Sequence, residues 1–372
     1  YGQLAFLKLN PNGKFELKKD MEIDNKYRYV FFNKELVKIV YLLDELKNDK
    51  YTKFILRHLA NDNISKGSEA LAAELATNIE RYDFAIQVSK IASYKKRFHN
   101  KFNYPIISTP KKINGRKISV DYPPYIIAEM SANHNRSIDN AFKIIDIAKI
   151  SGADAVKLQT YHPDTITMNM STPEFIINGG LWDGQSLYEL YDLAHTPWDW
   201  HGELFKYALK KDITIFSSPF DNTAVDLLED LNSPAYKIAS FEAIDLPLIK
   251  YVAQTKKPMI ISTGIANFDE IKEAIEVSRE NGCSELAILH CVSSYPAPSS
   301  DYNLKTIIDM KEKFKIQVGL SDHTLDNITA ISSIAMGASI IEKHVTLNKF
   351  GGGPDDSFSL DKEDLSKLCQ DL

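Results

Sequence analysis

Gln317-Val-Gly-Leu-Ser321-Asp322-His323-Thr324 and Ile340-Ile-Glu-Lys-His344, with Asn327–Gly337 between them, decide the fold. Each outer piece is a short apolar strand that stops on polar groups. The middle piece has the small and apolar spacing of a helix, so the unit is strand, crossover helix, strand. In a parallel sheet such a connection leaves both strand ends on one side. His323 and His344 are therefore expected to converge. Two neutral imidazoles on adjacent strand tips suit a divalent ion with open positions for substrate. The plainer alternative, which the pair alone favours, is two hydrogen-bonded histidines at a barrel rim.

The same rhythm extends upstream. Apolar strands are predicted at 125–130, 154–159, 213–217, 235–239, 258–262, 286–291, 317–321 and 339–343, most separated by an amphipathic helix. That is the pattern of an α/β fold, a parallel (β/α)8 TIM barrel. The last segment, Lys362–Leu372, reads as the start of the eighth helix, leaving the seam between the first and last strands uncovered. The 160–212 connection is long and holds Trp182, Trp198 and Trp200, so it is expected to form a lid or pocket wall.

Residues 1–103 read as a separate all-α segment. Asn33–Lys47 carries Leu36, Val37, Val40, Leu43 and Leu46 at helical spacing, Tyr51–Leu59 forms a second run, and Ser68–Phe98 is long enough for two helices. The basic run Lys95-Lys96-Arg97 reads as a solvated helix end. Residues 104–124, with Pro105, Pro110, Pro123, Pro124 and Asn114-Gly115, read as a linker before a barrel domain at 125–372. At 372 residues, 44% apolar and 25% charged, the chain has the composition of a globular protein of one large and one smaller domain. A formal charge of −6 argues against a general nucleic-acid binder. No apolar run reaches bilayer length, so no membrane partner is expected. Cys283, Cys291 and Cys369 show no metal spacing and leave one unpaired, as suits a reducing cytoplasm. The chain begins on Tyr1, so the true N-terminus is expected upstream.

Chemistry in such a barrel sits at the C-terminal ends of the strands. There the sequence places Glu129, Lys157, Gln159, Lys237, Ser240, Glu242, Ser262, Ser293, Tyr295, Ser321, His323 and His344. Each alone has a structural explanation, such as a paired lysine or a hydroxyl that caps a helix. Together, two lysines, several hydroxyls, carboxylates and two histidines describe a pocket for a phosphorylated anion with a metal beside it.

Residues 125–372 resemble the sialic acid synthase family. The resemblance rests on Ile126-Ile-Ala-Glu129-Met-Ser-Ala-Asn-His134, Ala155-Val-Lys157-Leu-Gln159-Thr160-Tyr161, Phe216-Ser-Ser-Pro-Phe220 and Pro234-Ala-Tyr-Lys237-Ile-Ala-Ser240-Phe-Glu242. Ile261-Ser262-Thr-Gly264, Gly319-Leu-Ser321-Asp-His323-Thr324 and Ile341-Glu-Lys-His344 continue it in the family's order. It implies condensation of phosphoenolpyruvate with an acylamino sugar to a nine-carbon 2-keto acid and phosphate. Within the family, Gly180-Leu-Trp182, Leu187-Tyr188-Glu-Leu-Tyr191, Thr196-Pro-Trp198-Asp-Trp-His201 and Ile238-Ala-Ser-Phe-Glu242 are most similar to members acting on a 2,4-diacetamido-2,4,6-trideoxy-hexose, with N-acetylneuraminic or legionaminic acid as the alternative products of the same barrel.

Carried over by motif, Lys157, Lys237, Ser240, Ser262 and Ser321 would hold phosphoenolpyruvate. Ser293 stands where many members have Asn and would join them. His323 and His344 would bind Mn2+ or Mg2+, and Glu129, Gln159, Tyr295 and Asp355 would contact the sugar. Glu242, Lys157 and Glu129 are the expected catalytic groups. Asp355 lies in Gly351-Gly-Gly-Pro-Asp355-Asp-Ser-Phe358, a mobile loop by composition. The resemblance also implies a homodimer in which a small antifreeze-like domain, swapped between partners, lends an arginine. That domain is expected to be missing from this chain and turnover correspondingly reduced. The front segment resembles the helical region of soluble lytic transglycosylases, on Tyr1-Gly2-Gln-Leu-Ala5, Tyr82-Asp-Phe-Ala-Ile86, Lys95-Lys-Arg-Phe98 and Tyr104-Pro105. In that family the catalytic glutamate lies in a later domain with a Glu-Ser motif, and nothing matching it follows here, so no lytic activity is implied.

Overall fold

A computed structural model describes residues 23–61, 67–79, 81–94 and 111–372, in two compact units that meet in sequence at Thr109 and Pro110. In the first unit the described helices are α1 (Asn25–Phe32), α2 (Glu35–Glu45), α3 (Asp49–Ala60), α4 (Ser68–Asn78) and α5 (Tyr82–Tyr94). Their core joins Val37, Val40, Leu56, Leu59, Leu71, Leu75, Phe84 and Val88, with alanines of α4 letting its neighbours approach closely. Leu46, expected on the apolar stripe of α2, lies beyond its last turn and is exposed. The basic run at 95–97 and most of the transglycosylase-like motifs lie outside the described residues.

The second unit is a closed barrel of eight parallel strands. In order these are β3 (Tyr125–Glu129), β4 (Ala155–Thr160), β5 (Thr214–Pro219), β6 (Tyr236–Ile238), β7 (Met259–Ser262), β8 (Leu286–Cys291), β9 (Gln317–Asp322) and β10 (Ile340–His344). Alternation along the strands builds two cores. Val156, Leu158, Ile261, Ile288 and Leu320 face the surrounding helices. Tyr125, Ile127, Ala155, Phe216, Ile260, Leu289 and Ile340 fill the barrel floor. The helices cover the outside by the same logic. In α6 (Ile138–Ser151), Ala141, Ile144, Ile145 and Ala148 form the buried stripe; Ser137 caps its start and Gly152, at φ 98°, ends it.

Two expectations need correction. The 104–124 stretch is no open linker over 111–118: β1 (Lys111–Ile113) and β2 (Arg116–Ile118) pair as an antiparallel hairpin. Asn114 and Gly115 turn it with φ values of 47° and 83°, as a tight hairpin with this dipeptide requires. Ile113 and Ile118 pack onto the apolar floor, which a barrel otherwise leaves open at its bottom. Nor is the seam uncovered. β10 pairs with β3 from Ile340↔Tyr125 to His344↔Glu129. Outside it, α7 (Lys362–Asp371) buries Leu365 and Leu368 and meets α6, where Ser151 Oγ and Ser366 Oγ lie 2.8 Å apart.

Candidate active site at the strand ends

The inward positions change from apolar to polar one step above the floor. Glu129, Lys157, Ser218, Lys237, Ser262, Cys291, Ser321 and Glu342 follow at the C-terminal ends of their strands, all buried. The carboxylate at their centre is Glu342, which sequence reasoning did not place in the site. Its Oε1 lies 3.3 Å from Lys237 Nζ and 3.7 Å from Lys157 Nζ, and accepts a 3.2 Å hydrogen bond from Ser321 Oγ. The signal was the alternation Ile340, Glu342, His344, which puts the glutamate on the face of the histidine.

Lys157 bridges to the first strand. Its Nζ lies 2.8 Å from Glu129 Oε2 and donates to Ser218 Oγ at 3.3 Å. Gln159 Nε2 donates to Glu129 Oε1 at 2.9 Å and to Ser131 Oγ at 3.1 Å, and Ser131 in turn donates to Asp355. Burial lifts the Glu129 carboxyl to about 7, against the pull of Lys157. Burial works the same way on Glu342, but the Lys157 and Lys237 ammoniums outweigh it and hold that carboxyl below its usual range. One carboxylate thus stays charged between two lysines while its neighbour sits near neutrality.

A second group gathers under the loop after β7. A side chain at Gly264 would meet Ser293 Oγ at 2.4 Å, Ser240 Oγ at 2.9 Å and Cys291 Sγ at 3.2 Å; only glycine lets them converge. The Gly264 N–H donates to Ser240 Oγ at 3.2 Å. Ser262 Oγ, Ser293 Oγ, Glu242 Oε2 and Glu342 Oε2 are buried without a hydrogen-bond partner, as polar atoms that await a ligand are. Glu242 stands on the short turn Phe241–Ile244 after β6, and burial pushes its carboxyl up to about 7.

The two histidines meet at the mouth with ring centroids 5.4 Å apart. His323 Nδ1 donates to the Val292 carbonyl at 2.8 Å, which fixes that tautomer and leaves Nε2 with its lone pair. His344 Nδ1 has no hydrogen-bond partner, and Asp355 Oδ2 is 3.7 Å from it. Burial holds His323 down at about 4 and His344 well below its ordinary value, so both imidazoles are neutral. Two neutral, under-used ring nitrogens fit a divalent ion that keeps open positions. Among the described residues no third His, Cys, Asp or Glu completes a cluster with such a pair.

The 160–212 connection does form a wall, but its tryptophans divide the work. Trp182 donates to the Pro354 carbonyl at 3.0 Å and packs 5.9 Å from Tyr295, which lies 4.3 Å from the His323 ring. Trp198 instead donates to the Tyr161 carbonyl and stacks on His162, bracing the connection internally, while Trp200 packs on His134 and pins the connection to the barrel. A cleft of about 170 Å³ lies between Leu181, Trp182, Leu190 and Leu193 on one side and Gly352–Pro354 on the other. The Gly351–Phe358 loop is better anchored than its glycines suggest. Asp356 Oδ2 accepts from Gly353 N at 2.8 Å and from Asn135 Nδ2 at 3.0 Å, and Asp355 and Phe358 are buried.

Residues 144–372 match the NeuB family. The chain is 49% identical over 248 residues to a pseudaminic acid synthase of Helicobacter pylori, covering 67% of this chain and 73% of that protein. It is 45% identical over 250 residues to a pseudaminic acid synthase of Campylobacter jejuni, with the same two shares. The crystal structure of an N-acetylneuraminic acid (sialic acid) synthetase from Leptospira borgpetersenii, in complex with citrate, superposes with a TM-score of 0.65 at 30% identity, over 71% of this chain and 87% of that one. With the barrel, the lysine–carboxylate array at its mouth and these relatives in agreement, the chain belongs to the NeuB family.

Proposed function

We propose that this chain is a pseudaminic acid synthase, joining phosphoenolpyruvate to a 2,4-diacetamido-2,4,6-trideoxy-hexose with release of phosphate. The observation that carries this reading is the Lys157–Glu342–Lys237 array, ringed by buried hydroxyls with free oxygens, in a chain 49% identical to a synthase of that name. The two ammoniums offer charge to the phosphate and carboxylate of phosphoenolpyruvate, and Ser240, Ser262, Ser293 and Ser321 offer hydrogen bonds. Mn2+ or Mg2+ held by His323 and His344 would supply Lewis acidity for the sugar aldehyde.

Glu129, Gln159, Tyr295 and Asp355 orient the open-chain sugar so that its aldehyde carbon faces C3 of phosphoenolpyruvate. A new C–C bond forms there, the aldehyde oxygen gains a proton, and positive charge develops at C2. Glu242, when ionised, stabilises that charge. Water adds to C2, and the C–O bond to phosphate breaks to leave the 2-keto acid. Leu181, Trp182 and Leu190 suit a sugar that lacks an oxygen at C6. We place the work in the cytoplasm, where phosphoenolpyruvate is available, and expect a homodimer.

The chain is to be incubated with Mn2+, phosphoenolpyruvate and, in turn, the diacetamido-trideoxy-hexose or N-acetylmannosamine. Phosphate release with the first sugar is expected, and its loss together with Mn2+ binding in His344→Ala. Release with N-acetylmannosamine alone would reject the sugar assignment while leaving the reaction class standing.

A further inference from the structure

On the outer side of the two histidine-bearing strands lies an ion pair that the reaction above does not use. β9 and β10 pair as Glu342↔Ser321 and Lys343↔Asp322. Side chains alternate, so Ser321, Glu342, His323 and His344 point inward while Asp322 and Lys343 point outward. Lys343 Nζ donates to Asp322 Oδ2 at 2.9 Å, to the Thr324 carbonyl at 2.9 Å and to the Asp326 carbonyl at 2.6 Å, with Thr324 Oγ1 at 3.4 Å. The other Asp322 oxygen accepts from Thr324 N–H at 2.9 Å. The side chains of Lys343 and Asp322 are 2% and 0% exposed.

A buried ion pair is a poor source of stability, because desolvation of the two charges offsets their attraction. This one has a geometric effect instead. His323 lies between two of its anchor points, Asp322 and Thr324, and His344 follows Lys343 directly. The ammonium gathers the chain leaving β9 and ties it to β10, so it sets the separation of the two imidazoles. The tip of β9 is also held from another side, where His323 N–H donates to Tyr302 Oη at 2.7 Å.

We propose that Lys343 and Asp322 form the positioning pair of the two-histidine centre, tuning its affinity for a divalent cation without touching the ion or either substrate. This rests on the reading of His323 and His344 as metal ligands. Support of this kind around a metal site is commonly worth about 10–100-fold in affinity. Phosphoenolpyruvate is held largely by groups on other strands, so its affinity should move far less.

The test uses the full metal-free chain. The dissociation constant for Mn2+ is measured by calorimetry, that for phosphoenolpyruvate without metal in parallel, and folding by melting curves. The wild-type protein is expected to bind Mn2+ and His344→Ala to lose it. Lys343→Met should weaken Mn2+ about 10–100-fold while changing phosphoenolpyruvate affinity little. Should the lone buried Asp322 unfold that variant, Asp322→Leu/Lys343→Met removes both charges, keeps the fold and should show the same selective loss. Wild-type Mn2+ affinity in either folded variant overturns the positioning role, with the histidine reading intact. Mn2+ binding that survives His344→Ala overturns both.

Discussion

Glu242 holds its proton near neutral pH because burial has removed its water and its Oε2 has no partner in exchange. Lys237 pulls the other way and Asp245 adds to the rise. Glu129 also sits at about 7, for the same first reason. A raised carboxyl is neutral below its pKa and charged above it. Only the charged form of Glu242 can stabilise a cationic C2, so kcat/KM should fall as pH drops below about 7. Glu242→Gln should lower kcat about 10²–10³-fold and leave a shallower acid limb from Glu129. A pH–rate profile flat from about 6 to about 8 would remove both carboxyls from the mechanism. The same shifts, from 4.5 to about 7, make folding less favourable as pH rises through that window, since the native state keeps protons the unfolded chain has released. Glu342 teaches a different lesson. Its residue type is as legible in the sequence as that of Glu242, but its weight comes from Lys157, Lys237 and Ser321, which three other strands bring to it.

At the scale of elements, β9 and β10 meet closely because position 319 has no side chain. A Cβ on Gly319 would lie 2.6 Å from the Ile340 carbonyl oxygen, 2.6 Å from Leu289 Cδ2 and 2.7 Å from Ile340 Cβ. Two of those contacts are strand backbone or its first carbon, which cannot swing away. Gly319→Ala should therefore destabilise the barrel by about 1–3 kcal/mol, read as a lowered denaturant midpoint at unchanged slope. A midpoint equal to the wild type would mean that the strands separate freely there. The hairpin of β1 and β2 shows how an element escapes a reading by composition. Asn114-Gly115 is a hairpin turn signal, but the surrounding prolines and basic residues dominated it. The strands are three residues each, too short for a period to show. Their stability comes from Ile113 and Ile118 sealing a floor that exists only once the barrel has closed.

For the whole molecule, each unit has its own apolar core, and every proposed ligand of phosphoenolpyruvate and Mn2+ follows Tyr125. Residues 110–372 expressed alone should bind both with the affinity of the full chain and melt cooperatively, because the hairpin stays with them. A fall in either affinity beyond about tenfold would make residues 1–109 part of the binding machinery.

The alternation of strand and helix determined the barrel from the sequence, since each strand's apolar run and each helix's stripe are local patterns. Polar residues at the strand ends likewise marked the mouth, because every such strand presents its C-terminal tip to one side. Only the tertiary structure decided which of these groups pair. Glu342 between its lysines, Lys343 behind the histidines, Trp182 against the 351–358 loop and the sealed floor all depend on residues far apart in the chain. Strand register and closure bring those residues within a few ångströms, where charge and hydrogen bonding act, and no local pattern records that approach.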